Sequence, residues 1–502
     1  MSAAHSAMWL RATTAAVMCG MAVLAGALPA HGVLPPAFGG VLHLPLAAPL
    51  DDVDPARQAL PSSAAVSAAL FDTLYALDAR GAPVPVLAEA LPTASTTPGA
   101  PPGTLQITLR SALRRHDGGR LVAADVVAAL QRAATMPRAG WLLGAFARTT
   151  EGALDIRAAG PLRVEMRPAR EGLDLARVLA ARPLAIVVGD PSRRVVGTGR
   201  FSLRGTPGGT TRDTVLVQYR RGALGAAYLE RVALLPPRAR DEDLRALELG
   251  TTDASWFGAT LFAPPAAGTR ASTEAPSVCP ILLVASDTGA LRDEGLRGYV
   301  AASMDRRRLE RAGLLADTQL AGLAVGAPPA ARAPTGGPNI RLAVPSGDPL
   351  LARVAEVIAA MLDERGVGVV LSAAPAVDPP PSGTWDARLV SVLPPLAGQA
   401  AVVGAALAAA GRTDAARALA ASHALDDARG ATEAARTFEV LVLGRRRETL
   451  YYQSALRGVR FDTAMGTLEL ANISLARVFL PATAPVPPVV RPRARDPRGP
   501  SR

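Results

Sequence analysis

The sequence predicts an α/β protein, and three observations carry that prediction. Residues 105–109, Leu105-Gln106-Ile107-Thr108-Leu109, alternate with period two, the spacing of a half-buried strand. Residues 123–133 instead space their apolar side chains at helical intervals. Residues 340–344, the turn Pro345-Ser346-Gly347-Asp348-Pro349, residues 350–364 and residues 367–371 then read as strand, turn, helix and strand. A unit of that length implies parallel pairing through a right-handed crossover.

The composition sets the class before any motif is read. The chain has 502 residues, 49% hydrophobic and 19% charged, which excludes wholesale disorder and permits two to four domains. Its formal net charge is +11, and all of the positive charge is Arg because the chain contains no Lys. Asn occurs only at Asn339 and Asn472, while Ala, Gly, Pro and Arg are abundant, the pattern of GC-rich coding. Dispersed Arg of that origin, with short runs such as Arg306-Arg307-Arg308 flanked by Asp305 and Glu310, reads as solvated surface and not as a nucleic-acid patch. The missing Lys also excludes a GxxxxGK phosphate loop and Schiff-base chemistry.

From the N-terminus, Arg11 precedes an apolar run over residues 12–28, closed by Pro29, and Ala25-Gly26-Ala27 supplies a small-x-small cleavage pattern. Residues 1–32 therefore read as an export signal, too short to span a membrane. Cys19 follows Met18 where a lipid-attachment box needs a small residue, so no lipid anchor is expected. Removal of the signal leaves Cys279 alone, and no intramolecular disulfide is possible. A mixed strand and helix block follows to about residue 264, and Ala-, Pro- and Gly-rich stretches at 263–276 and 327–338 mark loops or a crossing between lobes. In the second block Gly366 ends the 350–364 helix, residues 397–435 are Ala-rich and helical, and 438–443 form an apolar strand. The Pro- and Arg-rich tail, residues 481–502, reads as disordered.

The search for chemistry excludes more than it finds. No GxSxG elbow or HExxH motif occurs, and His43, His116 and His423 are too dispersed to suggest a metal site, so no catalytic residue, metal ligand or cofactor is expected. His116-Asp117-Gly118 reads as a turn, Asp51, Asp52 and Asp54 as a turn or helix cap, and Gly197-Thr198-Gly199 lacks the third Gly of a dinucleotide fingerprint.

Ordered along the chain, several segments resemble one family. Asp54-Pro55, then Ala69-Leu70-Phe71-Asp72-Thr73-Leu74-Tyr75, then Pro85 to Pro92 stand in the opening order of the family-5 extracellular solute-binding proteins of ABC transporters, the peptide- and nickel-binding group. Leu109-Arg110, His116-Asp117-Gly118 and Ala123-Ala124-Asp125-Val126-Val127 resemble its most specific signature. Val196-Gly197-Thr198-Gly199-Arg200-Phe201, Leu247 to Asp253, Leu296-Arg297, Met304-Asp305-Arg306, and Gly458-Val459 with Gly466 extend the resemblance over most of the chain. Asp54, Arg110, Asp117, Gly118, Asp125, Gly197, Gly199, Asp253, Arg297 and Asp305 are thereby expected to hold the scaffold. Local readings accompany them: Asp125 as a helix-start carboxylate, Gly199 as a turn, Arg297 and Asp305 as a helix-surface pair.

The resemblance implies a two-lobed α/β fold of the periplasmic-binding-protein type, with an extra subdomain in the first lobe and the ligand between lobes. Lobe I is expected over 33–270 plus 438–480, and lobe II over 271–437. It further implies a periplasmic monomer that is not an enzyme, takes a small solute or oligopeptide, and passes it to an ABC permease, without a nucleic-acid partner. The alternative is a transport-inactive sensor or accessory scaffold. Ser255, Trp256, Phe257, Trp385 and Asp386 are the cleft candidates, because aromatics with few polar anchors suit a ligand pocket. Two departures stand out. Arg200 replaces the family's Pro, and Trp385-Asp386-Ala387-Arg388-Leu389 runs into Val390-Ser391-Val392-Leu393-Pro394-Pro395, with no carboxylate to receive a peptide's amino terminus.

Overall fold

Strand alternation and helix capping account for the architecture seen in the computed structural model. It describes residues 38–475 apart from 47–49, 51, 58–60, 193, 206–213, 256–270, 276–278, 316–336, 347, 376–380, 382, 424, 426–438, 447 and 463–466. The expected export signal and the Pro- and Arg-rich tail lie outside the described residues.

The largest sheet shows why its strands form. Its five strands run in the order Gly368–Ala374, Asn339–Pro345, Ala387–Ser391, Pro280–Ala285, Val440–Arg445. Asn339–Pro345 pairs in parallel with both neighbours, and the remaining pairs are antiparallel. Pro280–Ala285 is buried at every position because both faces of the sheet are covered. Ile281, Leu283, Leu342, Leu389 and Leu441 face one apolar cluster with Val354 and Ile358 of helix Pro349–Asp363. Leu282, Val284, Ala343, Val390 and Val442 face the other cluster, with Val402 and Ala406 of helix Gln399–Ala409. The helix Pro349–Asp363 starts where Asp348 accepts hydrogen bonds from Leu350 N (3.0 Å) and Leu351 N (3.2 Å), and Pro349 fits its first turn. It ends at Gly366, whose φ of +77° suits only glycine. The predicted strand–turn–helix–strand unit is therefore present, with parallel pairing.

Two four-stranded sheets build the rest. One runs Val41–Pro45, Arg231–Leu235, Val215–Gln218, Phe201–Arg204, its first pair parallel. The other is antiparallel, Thr93–Ala94, Leu105–Thr108, Arg163–Met166, Ile156–Ala158, with helix Ala123–Ala134 against it. A three-stranded ribbon, Ala254–Ser255, Glu448–Tyr452, Ala271–Ala275, ties the C-terminal segment back to the first sheet's core. Val440–Arg445 thus belongs to the five-stranded sheet, and Glu448–Tyr452, just beyond it, belongs to the ribbon. No helix among the described residues is long and apolar enough to cross a membrane.

Candidate functional site

Each signature residue has a mechanical role. Asp54 accepts from Ala56 N (3.0 Å) and forms an ion pair with Arg132, tying the 3-10 turn Pro55–Arg57 to helix Ala123–Ala134. Arg110 reaches Pro85 O (3.5 Å), and Asp125 accepts from Val122 N (3.0 Å) and pairs with Arg115 (3.2 Å). Asp117 accepts from Gly119 N (3.0 Å) beside Gly118, whose φ of +86° makes the predicted turn. Asp253 receives both the main-chain N–H (2.7 Å) and the ring Nδ1 (3.0 Å) of His43.

One local expectation is corrected. Arg297 and Asp305 do not pair: Arg297 donates to Leu291 O (2.9 Å) and Arg292 O (2.8 Å), while Asp305 caps the helix Arg306–Arg311 and pairs with Arg311 (3.2 Å). The intervening helix end points the two side chains at different backbone targets. Gly199 lies at a bend of the chain. It is a close-approach glycine, since a Cβ there would sit 2.4 Å from Ala69 O, and one on Gly197 would sit 2.2 Å from Leu70 O.

His116 bridges to that same loop, a role the sequence pattern did not signal. Its Nδ1 accepts from Gly197 N (3.2 Å), its Nε2 donates to Gly199 O (3.1 Å), and its ring meets Tyr219 edge-on at 4.9 Å. Burial pushes its pKa below the ordinary histidine value, which favours the neutral ring that can accept and donate at once.

The cleft candidates separate. Ser255 is buried and donates to Asp243, whose carboxyl is raised by burial despite that hydrogen bond. Trp385 is packed into the apolar cluster on one face of the five-stranded sheet. Asp386 is spent on structure: it accepts from Arg341 N (2.8 Å), Ala290 N (2.8 Å), and the Arg341 guanidinium (3.0 and 3.1 Å). Burial alone would raise its pKa, but those donors outweigh it and hold it below the usual carboxylate range. Trp256 and Phe257 lie outside the described residues. None of the three described candidates lines the cavity at the seam.

That cavity has a volume of about 50 Å³. Pro55, Phe71, Arg182 and Pro183 form one wall, and Leu393, Pro394 and Pro395, directly after the Ala387–Ser391 strand, form the other. Arg182 N donates to Pro395 O (3.1 Å) and so joins the two walls, and the Arg177 guanidinium bridges Gly81 O (2.9 Å) and Ala397 O (3.2 Å). Further along, the Trp141 ring lies over Gly404, where a Cβ would be 2.4 Å from it, and Gly144 meets Arg417 of helix Thr413–His423. One apolar cluster therefore runs from Trp141 and Leu142 into Val402, Val403 and Leu407. Among the described residues no group of His, Cys, Asp and Glu is arranged to hold a metal ion.

No protein-family model and no curated protein sequence matches the chain. Solved structures do. Listeria monocytogenes OppA bound to peptide aligns with a TM-score of 0.64 at 14% identity, over 87% of this chain and 99% of that one. The binding protein AgaA from A. tumefaciens R10, in complex with agropinic acid, gives 0.65 at 16% identity over 88% and 99%. NikA from Brucella suis in complex with Fe(III)-EDTA gives 0.63 at 16% identity over 87% and 100%. With its sheets and these alignments in agreement, the protein has the two-lobed α/β fold of these solved binding proteins.

Proposed function

We propose that the protein is an exported solute-binding protein that takes a small solute between its lobes and delivers it to an ABC permease in the membrane. The observation that carries this reading is the seam itself, where Phe71 and Arg182 of one lobe face Leu393 and Pro395 of the other across a cavity. Such folds work by closing around a ligand. A small solute is favoured over an oligopeptide because the cavity is only about 50 Å³, against roughly 300–1,000 Å³ for drug-sized ligands, and because Asp386 is already committed to Arg341. Export rests on the 12–28 apolar run and its cleavage pattern. We place the lobe limits between Ala271–Ala275 and Pro280–Ala285 on the outward pass, and between Val440–Arg445 and Glu448–Tyr452 on the return.

A thermal-shift screen against di- to pentapeptides, nickel and small sugars tests the reading. A ligand that binds only the folded form stabilises by about 2.7 kcal/mol at a hundredfold excess over its Kd. A second reading, a transport-inactive scaffold, is favoured by the apolar seam through Trp141 and Gly404, which opening would have to break. A screen without any shift, together with unchanged solute uptake in a deletion strain, selects that second reading.

A further inference from the structure

We infer that a second cavity, inside the first lobe, is a binding site for a small monocarboxylate. Its volume is about 280 Å³, and Ala68, Asp72, Arg182, Arg200, Thr467 and Asn472 contribute to its wall.

The argument starts from the two arginines. Arg182 and Arg200 are half-buried, and neither guanidinium makes a hydrogen bond or ion pair with any described residue. Both attract Asp72, a buried carboxylate just past helix Pro61–Leu70, whose Oδ2 accepts from Thr198 Oγ1 at 2.9 Å. The other charged residues in the wall are engaged elsewhere. Arg460 pairs with Glu469 (2.7 Å), Glu469 also accepts from the Asn472 amide, and Asp462 has an interaction of its own. Two guanidinium groups without a hydrogen-bond acceptor among the described residues thus face the cavity beside this carboxylate.

Half-buried guanidinium donors without acceptors are costly, and their planar fork fits a carboxylate with two parallel hydrogen bonds. A singly charged carboxylate would give both guanidinium groups an acceptor. A doubly charged phosphate would instead crowd excess negative charge against Asp72. Ala68, Arg182 and Thr467 line both this cavity and the one at the seam, and Arg182 N bonds to Pro395 O, so an occupant here would be in contact with the lobe junction.

Isothermal titration of the full chain with propionate, propionamide and inorganic phosphate tests the assignment. Propionate is expected to bind, its uncharged isostere propionamide not to bind, and phosphate to bind more weakly than propionate. Arg200→Gln and Arg182→Gln should each weaken propionate binding at least tenfold while the melting temperatures of the free variants stay near that of the parent. Equal binding of propionate and propionamide, tighter binding of phosphate, no binding of propionate, or full propionate affinity in both variants would each overturn the site. The comparison on the parent chain decides the matter even if a variant fails to fold. The site is independent of the transport role: a chain that answers the thermal screen but ignores propionate loses this site and keeps its solute-binding function.

Discussion

Asp72 and Asp386 are both buried carboxylates, yet their environments give them opposite responses to pH. For Asp386 burial is outweighed by the Arg341 guanidinium and the Arg341 and Ala290 N–H groups, so its folded-state pKa is depressed. A depressed carboxyl contributes stability above its unfolded pKa and loses it as the pH falls through the folded value. Replacing Asp386 with Asn leaves donors facing donors, and it is expected to cost about 2–4 kcal/mol at pH 7, with the loss shrinking below pH ~4, as measured by urea unfolding. For Asp72 burial is the largest influence and is only partly offset by Thr198, Arg182 and Arg200, so its pKa is raised. The sign reverses: the folded state gains as the pH falls and Asp72 takes up its proton. Asp72→Asn should therefore stabilise the free protein at pH 7, and the same unfolding series at pH 4 should show that gain diminished.

Helix Gln399–Ala409 illustrates what an element's sequence reveals and what it conceals. It is apolar on every side, with nine of its eleven residues buried, so no single face declares a partner. One side lies on the five-stranded sheet, and another meets Trp141 at Gly404. Gly404→Leu is expected to destabilise the protein by about 1–3 kcal/mol, because the Trp141 ring already occupies the space, and a calorimetric midpoint lowered accordingly would register it. The regular elements were legible because each carries a local period or cap: strand Leu105–Thr108, helix Ala123–Ala134 and the unit from Asn339 to Ala374 stand within a residue or three of their expected ends. The site was legible only in outline. Trp385 and Asp386 read as cleft residues because aromatic and acidic side chains suit pockets, but their partners Arg341 and Ala290 are far away in sequence. Arg388, fully buried in the Ala387–Ser391 strand, donates to Ala409 O (2.7 Å) at the end of the helix and to Pro375 O (2.9 Å). A cation against a helix C-terminus is favourable, yet no short-range spacing encodes a contact made across a sheet.

At the scale of the molecule, the apolar cluster that runs from Trp141 through Val403 to Val442 couples the antiparallel subdomain sheet to the five-stranded sheet. Elements that share a core unfold together, so differential scanning calorimetry of the ligand-free protein should give one cooperative transition; two separated transitions would show that the seam contributes little. The strand Val41–Pro45 carries a different consequence. Its ladder partner, Arg231–Leu235, lies about 190 residues further along the chain. A ribosome adding roughly 5–20 residues per second leaves that strand without its mate for about 10–40 s. Pairing over so long a span is slow even after both strands exist. The first sheet thus cannot close until nearly half of the polypeptide has been made, and a chain that stays open for this long remains thin enough to be threaded.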